Sequence, residues 1–362
     1  MTKIVVLCSN LLILLLLYGC TAPSTVAPVD EPGETGGVPV QETGEYVTDA
    51  MGTKLIVPES GDIKIASSYA VVVPFLAALE LSDNVVAINY KSIFWAEALE
   101  GFARAGSVGR GIVDLEALAT FSPDVLIHRA NDSRTTNAVT GLGIPVMSIR
   151  AENIDEIMST LDLMGRFFHV EARAEDVKNR MIEKFDKIAK LVENIPKDER
   201  YTAIMMGGEL GVVAGGDMLQ SWMLEHAGAI CMASEIEGGN TADQIASAWA
   251  HIGMERLFTM NPDVIFTTSS TVLDYSVDEI LTDPALSGLE AVKHGRVFQM
   301  PAKRDSWDLP GVSCVIGTMW MLHCMYPELL SAEDIQKEID EYYTFIFGRT
   351  FDSDYLGYNI TP

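Results

Sequence analysis

Basic side chains are scarce in this sequence. Lys and Arg number 25 against 51 Asp and Glu, which gives the 362 residues a formal net charge of −26 at pH 7. A chain this acidic repels polyanions, so nucleic acid and anionic lipid headgroups are excluded as expected partners.

Cysteine is also rare. Of five cysteines, Cys8 belongs to an N-terminal leader, and Cys231, Cys314 and Cys324 belong to the folded part. Cys314 and Cys324 lie in one helical pattern with a rise of about 15 Å between them, which no disulfide spans. We therefore expect three free thiols and no disulfide framework.

The leader, residues 1–20, is typical of a targeting segment. Lys3 supplies its positive end, and its apolar core is too short for a transmembrane helix, which needs about 20 apolar residues. The ending Leu17-Tyr18-Gly19-Cys20 resembles a bacterial lipoprotein box, which implies that Cys20 is acylated and tethers the chain to a membrane. A plain secretory signal and an uncleaved anchor are the alternatives.

The chain after the leader divides by composition. Residues 21–48 are acidic, rich in Pro, Gly and Thr, and predict a flexible tether. The remainder exceeds the size at which single cores usually stop growing, so two lobes are expected. The expected divisions are an N-terminal lobe at 49–152, an interlobe helical linker at 153–197, a C-terminal lobe at 198–348 and a tail at 349–362.

Short β-branched runs alternate with helical patterns in both halves, as in "VVAIN" at 85–89, "DVLIH" at 124–128 and "DVIFTT" at 263–268. Buried runs of four to six residues separated by helices indicate mainly parallel sheets. Apolar residues spaced by three and four between about 154 and 192 indicate a short helix followed by one long helix. The sequence therefore predicts an α/β fold of two similar lobes joined by a stiff helix.

One segment occurs twice. "LEALATFSPDVLI" at 115–127 and "MERLFTMNPDVIF" at 254–266 share Glu, Leu, Thr, Pro, Asp and Val at identical offsets. Pro ends each short helix and introduces a buried strand, so the Pro-Asp pairs are interpreted as structural.

These blocks, with "DAMGTKLIVPES", "GIPV", "AVKHGRVFQMP" and "MYPELL…EIDEYYTFIFG", occur in an order that resembles one protein family from about Met51 to Gly348. The chain resembles the substrate-binding component of ATP-binding-cassette (ABC) importers for ferric siderophores, haem and cobalamin. The resemblance implies two Rossmann-like lobes, one long rigid interlobe helix, a ligand between the lobes, and a permease dimer with its cytoplasmic ATPase as partners.

The resemblance also implies that one acidic residue on each lobe docks onto the permease, and by position these are Glu116 and Glu255. A simpler interpretation stands beside it, because a glutamate in the first turn of a helix is stabilised by the helix dipole by about 0.3 to 1 kcal/mol without any partner. Asp114 and Gly253 are the possible N-caps of the two helices.

A ligand site is expected beyond the carboxyl ends of the parallel strands, where ligands of open α/β sheets bind. The loops there combine aromatic and basic side chains, which suits an aromatic or flat ligand with negative groups. The predicted ligand-binding residues are Ser68, Tyr69, Tyr90, Trp95, Arg110, Arg129, Glu209, Arg304 and Trp307.

Metal and catalytic sites are not indicated. The six histidines are dispersed without the spacing of a metal pair, and only His128 falls at a predicted cleft loop. The glycine-rich "MMGGELGVVAGG" lacks the Gly-Lys-Ser/Thr ending of a nucleotide loop. We expect no cofactor and no catalytic residue.

The sequence thus predicts a lipid-anchored, extracytoplasmic binding protein for a metal chelate, either a ferric siderophore or a related haem or cobalamin ligand. A chelatase-like tetrapyrrole enzyme of the same architecture is one alternative. A binding protein for a small oxyanion or a free metal ion is the other.

Overall fold

The computed structural model describes residues 44–59, 63–92, 94–236, 249–269, 273–301 and 305–350. From Gly44 onward the chain forms one compact unit that contains two large sheets. The strands are β1 Tyr46–Thr48, β2 Lys54–Ile56, β3 Ile65–Ser67, β4 Val85–Ile88, β5 Gly106–Ser107, β6 Val125–Arg129, β7 Val146–Ile149, β8 Thr202–Met206, β9 Val212–Ala214, β10 Ile230–Cys231, β11 Trp249–His251, β12 Val264–Thr267 and β13 Val297–Gln299.

The helices surround these sheets and connect their strands. They are α1 Val72–Ala78, α2 Phe94–Ala98, α3 Leu115–Phe121, α4 Ser133–Thr140, α5 Ile154–Phe167, α6 Glu171–Val192, α7 Leu219–His226, α8 Gly253–Met260, α9 Val277–Thr282, α10 Glu290–Lys293, α11 Cys314–Met325 and α12 Ala332–Phe347. Cys314 and Cys324 both lie in α11, and Cys231, Cys314 and Cys324 are free, as predicted.

The N-terminal lobe is built on a parallel sheet with the strand order β5-β4-β3-β6-β7. Its central strands are buried on both faces, which explains their continuous apolar sequence. The C-terminal sheet has the order β11-β9-β8-β12-β13. There β8, β12 and β13 are parallel, β10 pairs in parallel with the start of β8, and β9 runs antiparallel to β8 and β11. The predicted α/β class with mainly parallel sheets is confirmed.

Two helices connect the lobes. α5 and α6 pack against each other, and Gly165 allows this, because a Cβ at that position would lie 2.8 Å from the Cβ of Ala174. α6 has 22 residues and is therefore about 33 Å long. The predicted long interlobe helix is confirmed.

The last helix also contacts both lobes, which the sequence did not indicate. α12 packs on α11 of the C-terminal lobe and bonds to α6 through Glu338, which accepts from Lys184 Nζ at 2.5 Å. At its other end the ring of Phe347 lies 5.1 Å from that of Trp95, and Arg349 Nη1 donates to the carbonyl of Ala98 at 2.8 Å. One apolar cluster accordingly runs through both lobes.

The repeated segment forms the same structure in each lobe. The C-cap residues that follow α3 and α8, Ser122 and Asn261, are in the left-handed conformation, and each is followed by proline. The aspartate after that proline then accepts a backbone N–H bond at the start of the central strand. Asp124 Oδ2 accepts from Lys64 N at 2.7 Å, and Asp263 Oδ2 accepts from Thr202 N at 2.9 Å. The structural interpretation of the Pro-Asp pairs therefore fits these contacts.

Candidate functional site

A cavity of about 410 Å³ lies between the two lobes. The carboxyl ends of β3, β4 and β6 form one wall, and a C-terminal-lobe segment that precedes α11 forms the other. The lining residues are Ser68, Tyr69, Ala70, Val71, Pro74, Asn89, Lys91, Ser92, Trp95, Gly111, His128 and Arg129 on the N-terminal lobe, and Asp305, Ser306, Leu309, Pro310, Gly311 and Ser313 on the C-terminal lobe.

The parallel strands bring separate loops together at the first wall. Asn89, which follows β4, donates from Nδ2 to the carbonyl of Ser68 at 2.8 Å, while its Oδ1 accepts from Lys91 N at 2.9 Å. The first bond joins the loop after β4 to the loop after β3, and the second bond lies within the loop after β4. The side chain of Asn89 therefore holds these two parts of the wall together.

Three side chains of this wall are bonded in series. Ser68 Oγ lies 2.7 Å from His128 Nδ1, and His128 Nε2 lies 3.2 Å from Asp132 Oδ2. Asp132 is the N-cap of α4 and also accepts from Thr135 N at 3.1 Å and from Thr135 Oγ1 at 3.0 Å. In the Ser-His-Asp triad of hydrolases, the serine bonds to the Nε2 atom of the histidine and the aspartate to its Nδ1 atom. Here the serine bonds to Nδ1 and the aspartate to Nε2.

Two basic side chains lie at this wall. Arg129 and Lys91 both line the cavity, and neither forms a salt bridge with a carboxylate of the described residues, although the charge of Arg129 acts on the nearby carboxyl of Glu152. Tyr69 lies beside Glu152, and burial followed by the charge of Glu152 raises the pKa of its hydroxyl well above the usual range. Tyr69 thus stays a neutral hydroxyl at physiological pH.

The opposite wall presents a buried carboxyl group. Asp305 is 4% exposed, and its Oδ2 accepts from Ser313 Oγ at 2.7 Å and from the hydroxyl of Tyr343. Both bonds go to Oδ2, so they leave Oδ1 for other donors. Burial raises the pKa of Asp305, and the bonds from Tyr343 and Ser313 only partly oppose this.

The structure brings four of the predicted ligand-binding residues to the cavity: Ser68, Tyr69, Trp95 and Arg129. Their contact with a ligand stays a prediction. Sequence reasoning did not select Asn89, Lys91, His128, Asp305 or Ser313 as binding residues. A signal for three of them was available in the sequence, because Asn89 and Lys91 follow β4 and His128 lies at the end of β6, where a ligand site is expected.

Other predicted residues lie elsewhere. Trp307 is fully buried in the core, where its Nε1 donates to the hydroxyl of Tyr343 at 2.8 Å, so its assignment to the ligand is wrong. Tyr90 is 51% exposed and Arg110 is exposed, and neither lines the cavity although Lys91 and Gly111 do. Glu209 is exposed in the loop after β8 and also lies outside the lining. Arg304 and Cys20 lie outside the described residues.

The two predicted docking glutamates have equivalent positions. Glu116 and Glu255 are exposed in the first turns of α3 and α8. Asp114 is the N-cap of α3 and accepts from the backbone N–H groups of Glu116 and Ala117. Gly253, by contrast, is the first residue of α8 and not its cap, which is Ile252.

Within the described part of the chain, no three His, Cys, Asp or Glu side chains are grouped so as to hold a metal ion. A search of the same residues finds no helix that could cross a membrane.

Comparison with known proteins decides the family. A family model described as periplasmic binding protein matches residues 65–304, which is more than half of the chain. The chain belongs to the periplasmic binding protein family. Members of this family are the solute-binding components of ABC importers and work outside the cytoplasm. The relatives are binding proteins and not enzymes, so the chelatase-like alternative is not supported.

The relatives of this periplasmic binding protein have different ligands in their names. The molybdate-binding protein MolA of Haemophilus influenzae is 21% identical over 339 residues, which cover 85% of this chain and 92% of MolA. The Fe(3+)-citrate-binding protein YfmC of Bacillus subtilis is 24% identical over 204 residues, which cover 56% of this chain and 60% of YfmC.

Solved structures agree in fold. MolA bound to molybdate has a TM-score of 0.68 at 19% identity and covers 85% of this chain and 99% of its own. Helicobacter pylori CeuE with bound Ni(II) has a TM-score of 0.67 at 20% identity and covers 86% of this chain and 98% of its own. At this identity the likeness establishes the two-lobed fold and leaves the ligand open.

Proposed function

We propose that this binding protein captures a compact, oxygen-rich anion, either a ferric chelate with free carboxylates or a metal oxyanion. The supporting observation is that Arg129 and Lys91 line the interlobe cavity without a salt bridge to a described carboxylate. A guanidinium fork and an ammonium group at one wall suit ligand oxygens, and a hydrogen bond to a charged group contributes about 1.5 to 3 kcal/mol.

The other ligands suggested by the sequence receive less support. A flat macrocycle such as haem or cobalamin was expected to stack on several aromatic rings, yet Trp307 is in the core and Tyr90 lies outside the cavity lining. A free metal cation would meet two positive groups on one wall. The names of the relatives, molybdate and iron citrate, are both consistent with an anionic cargo.

We further propose that Cys20 anchors the chain to a membrane and that Glu116 and Glu255 dock it onto the permease. Exposed apolar side chains lie near both glutamates and would add apolar area to such a contact. Ile112, 84% exposed, and Leu115 flank Glu116, and Phe258 lies one helical turn after Glu255.

Calorimetric titration of the purified protein tests the cargo. Molybdate, ferric citrate, haemin, cyanocobalamin and Ni²⁺ alone would be compared at one pH and ionic strength. We expect binding of molybdate or ferric citrate, with thermal stabilisation of about 2.7 kcal/mol at 100 times Kd. Binding of haemin or cyanocobalamin, or of Ni²⁺ alone, in the absence of binding of both anions would contradict the proposal.

A further inference from the structure

The Ser68–His128–Asp132 series places a titratable ring directly behind a hydroxyl of the cavity wall. Ser68 and His128 line the cavity, and His128 is only 6% exposed. The distances of 2.7 Å and 3.2 Å are those of two hydrogen bonds, so each ring nitrogen has one partner. The proton positions in this series determine what Ser68 can offer to a ligand.

Asp132 fixes those proton positions. Partial burial raises the pKa of its carboxyl, but the bonds from Thr135 and His128 lower it below the usual range, so Asp132 is ionised at neutral pH. An ionised carboxylate only accepts hydrogen bonds, and His128 Nε2 must therefore carry the proton. In the neutral ring Nδ1 is then an acceptor, and the Ser68 hydroxyl donates to it.

In that state the hydroxyl of Ser68 shows only lone pairs to the cavity, which an anion would repel. Ser68 can donate to an anion and keep its bond to His128 only if Nδ1 gains a proton and itself donates to Ser68 Oγ. We infer that capture of an anion through Ser68 is coupled to uptake of one proton by His128, with Asp132 as the positioning residue that fixes the tautomer. The inference rests on the proposed anionic cargo.

The surrounding charges are consistent with an empty site in which His128 is neutral. Burial lowers the pKa of His128 most, and Arg129 lowers it further, while the bond and charge of Asp132 oppose this. Lys91 and Tyr69 line the same cavity, Glu152 lies beside Tyr69 and within electrostatic range of Arg129, and Asp305 faces the cavity from the other lobe. A bound anion adds negative charge next to the ring and raises its pKa. Affinity is therefore highest below the pKa of His128 in the free protein, declines between that pKa and the higher pKa of the complex, and is constant above it.

The test measures proton uptake during titration with molybdate, or with ferric citrate if molybdate does not bind. Heats measured in two buffers of different ionisation enthalpy give the number of protons taken up. Between the pKa values of the free and bound protein, wild type is expected to take up close to one proton, and Kd to weaken about tenfold per pH unit. This wild-type measurement needs no variant to fold.

Two variants assign the proton. In Asp132→Asn the amide can donate to Nε2, so the neutral ring can carry its proton on Nδ1 and donate to Ser68. We expect this variant to bind the anion at about pH 8 at least as tightly as wild type, without proton uptake. A purely structural role of Asp132 would instead weaken binding at every pH. His128→Gln should give a flat pH profile, and His251→Gln, an exposed histidine on β11, should behave as wild type.

The outcomes separate the two hypotheses. Anion binding without proton uptake, or uptake that persists in both Asp132→Asn and His128→Gln, would overturn the inference while leaving the proposed cargo intact. The second result would assign the proton to another cavity group such as Asp305. Failure of both anions to bind at any pH would overturn the cargo itself and this inference with it.

Discussion

Arg129 is the cavity residue whose chemistry most directly matches an anionic cargo, because its guanidinium has no salt bridge within the described part of the chain. Arg129→Gln should weaken binding of molybdate or ferric citrate by about 10- to 100-fold, since a charge-assisted hydrogen bond contributes about 1.5 to 3 kcal/mol. Calorimetric titration measures the change. Arg134→Gln, an exposed position on α4, is the matched control. An equal loss in both variants would show that net charge, and not contact, attracts the anion.

Asp305 predicts a pH dependence of stability. Burial raises its pKa, so the folded protein holds this proton more tightly than the unfolded chain. Its contribution to the free energy of unfolding is complete at low pH and is lost as pH rises through the folded-state pKa. Asp305→Asn cannot ionise, so it should melt a few degrees above wild type at about pH 8 and close to wild type at about pH 4. Asp308 is a second buried carboxyl whose pKa is raised by burial, and because it is present in both proteins its own titration cancels.

The contact between α6 and α12 offers a comparison of two glutamates on one helix. Glu338 is buried and bonded to Lys184 and Lys187, whereas Glu341 is exposed and bonded to Lys184 at 3.5 Å. Glu338→Ala leaves the buried Lys184 without its main partner and should cost about 3 kcal/mol or more, while Glu341→Ala should cost less than about 1 kcal/mol. Urea unfolding of both variants measures this. Equal losses would mean that water reaches Lys184.

The elements were largely predictable, because the signals were local. Alternation of buried runs and amphipathic stretches located β4, β6, β12 and the long α6. The repeated segment correctly predicted a short helix and a strand in each lobe. The sequence did not show the bond from Asp124 or Asp263 to the neighbouring strand, because its donor is 60 residues away or more.

The site was less predictable, because it depends on which way single side chains turn. Tyr90 and Lys91 share one helical turn, yet only Lys91 lines the cavity. Trp307 follows β13, as a ligand-binding residue would, but its indole turns inward to Tyr343 on α12. That contact requires the final helix to pass behind the loop, which is a long-range arrangement without a local signal.

At the scale of the whole protein, the docking hypothesis has a direct test. The double variant Glu116→Ala, Glu255→Ala should abolish uptake of the cargo by the reconstituted importer. The Kd of the binding protein for the cargo should be unchanged. Glu333→Ala is the matched control, since Glu333 is likewise in the first turn of a helix, α12, and is exposed. Loss of ligand affinity in the double variant, or normal uptake by it, would refute docking through these residues.

The crossing of α12 between the lobes has a mechanical consequence. A body attached to another at two places turns easily about the line through them and resists turning about other lines. With α6 and α12 both in contact with the two lobes, we expect the cavity to open by a single hinge-like rotation and not by free rocking. Spin labels placed on the two lobes, on opposite rims of the cavity, should then report one narrow distance distribution in the empty protein. Phe347→Ala, which removes a contact at the end of α12, should broaden this distribution.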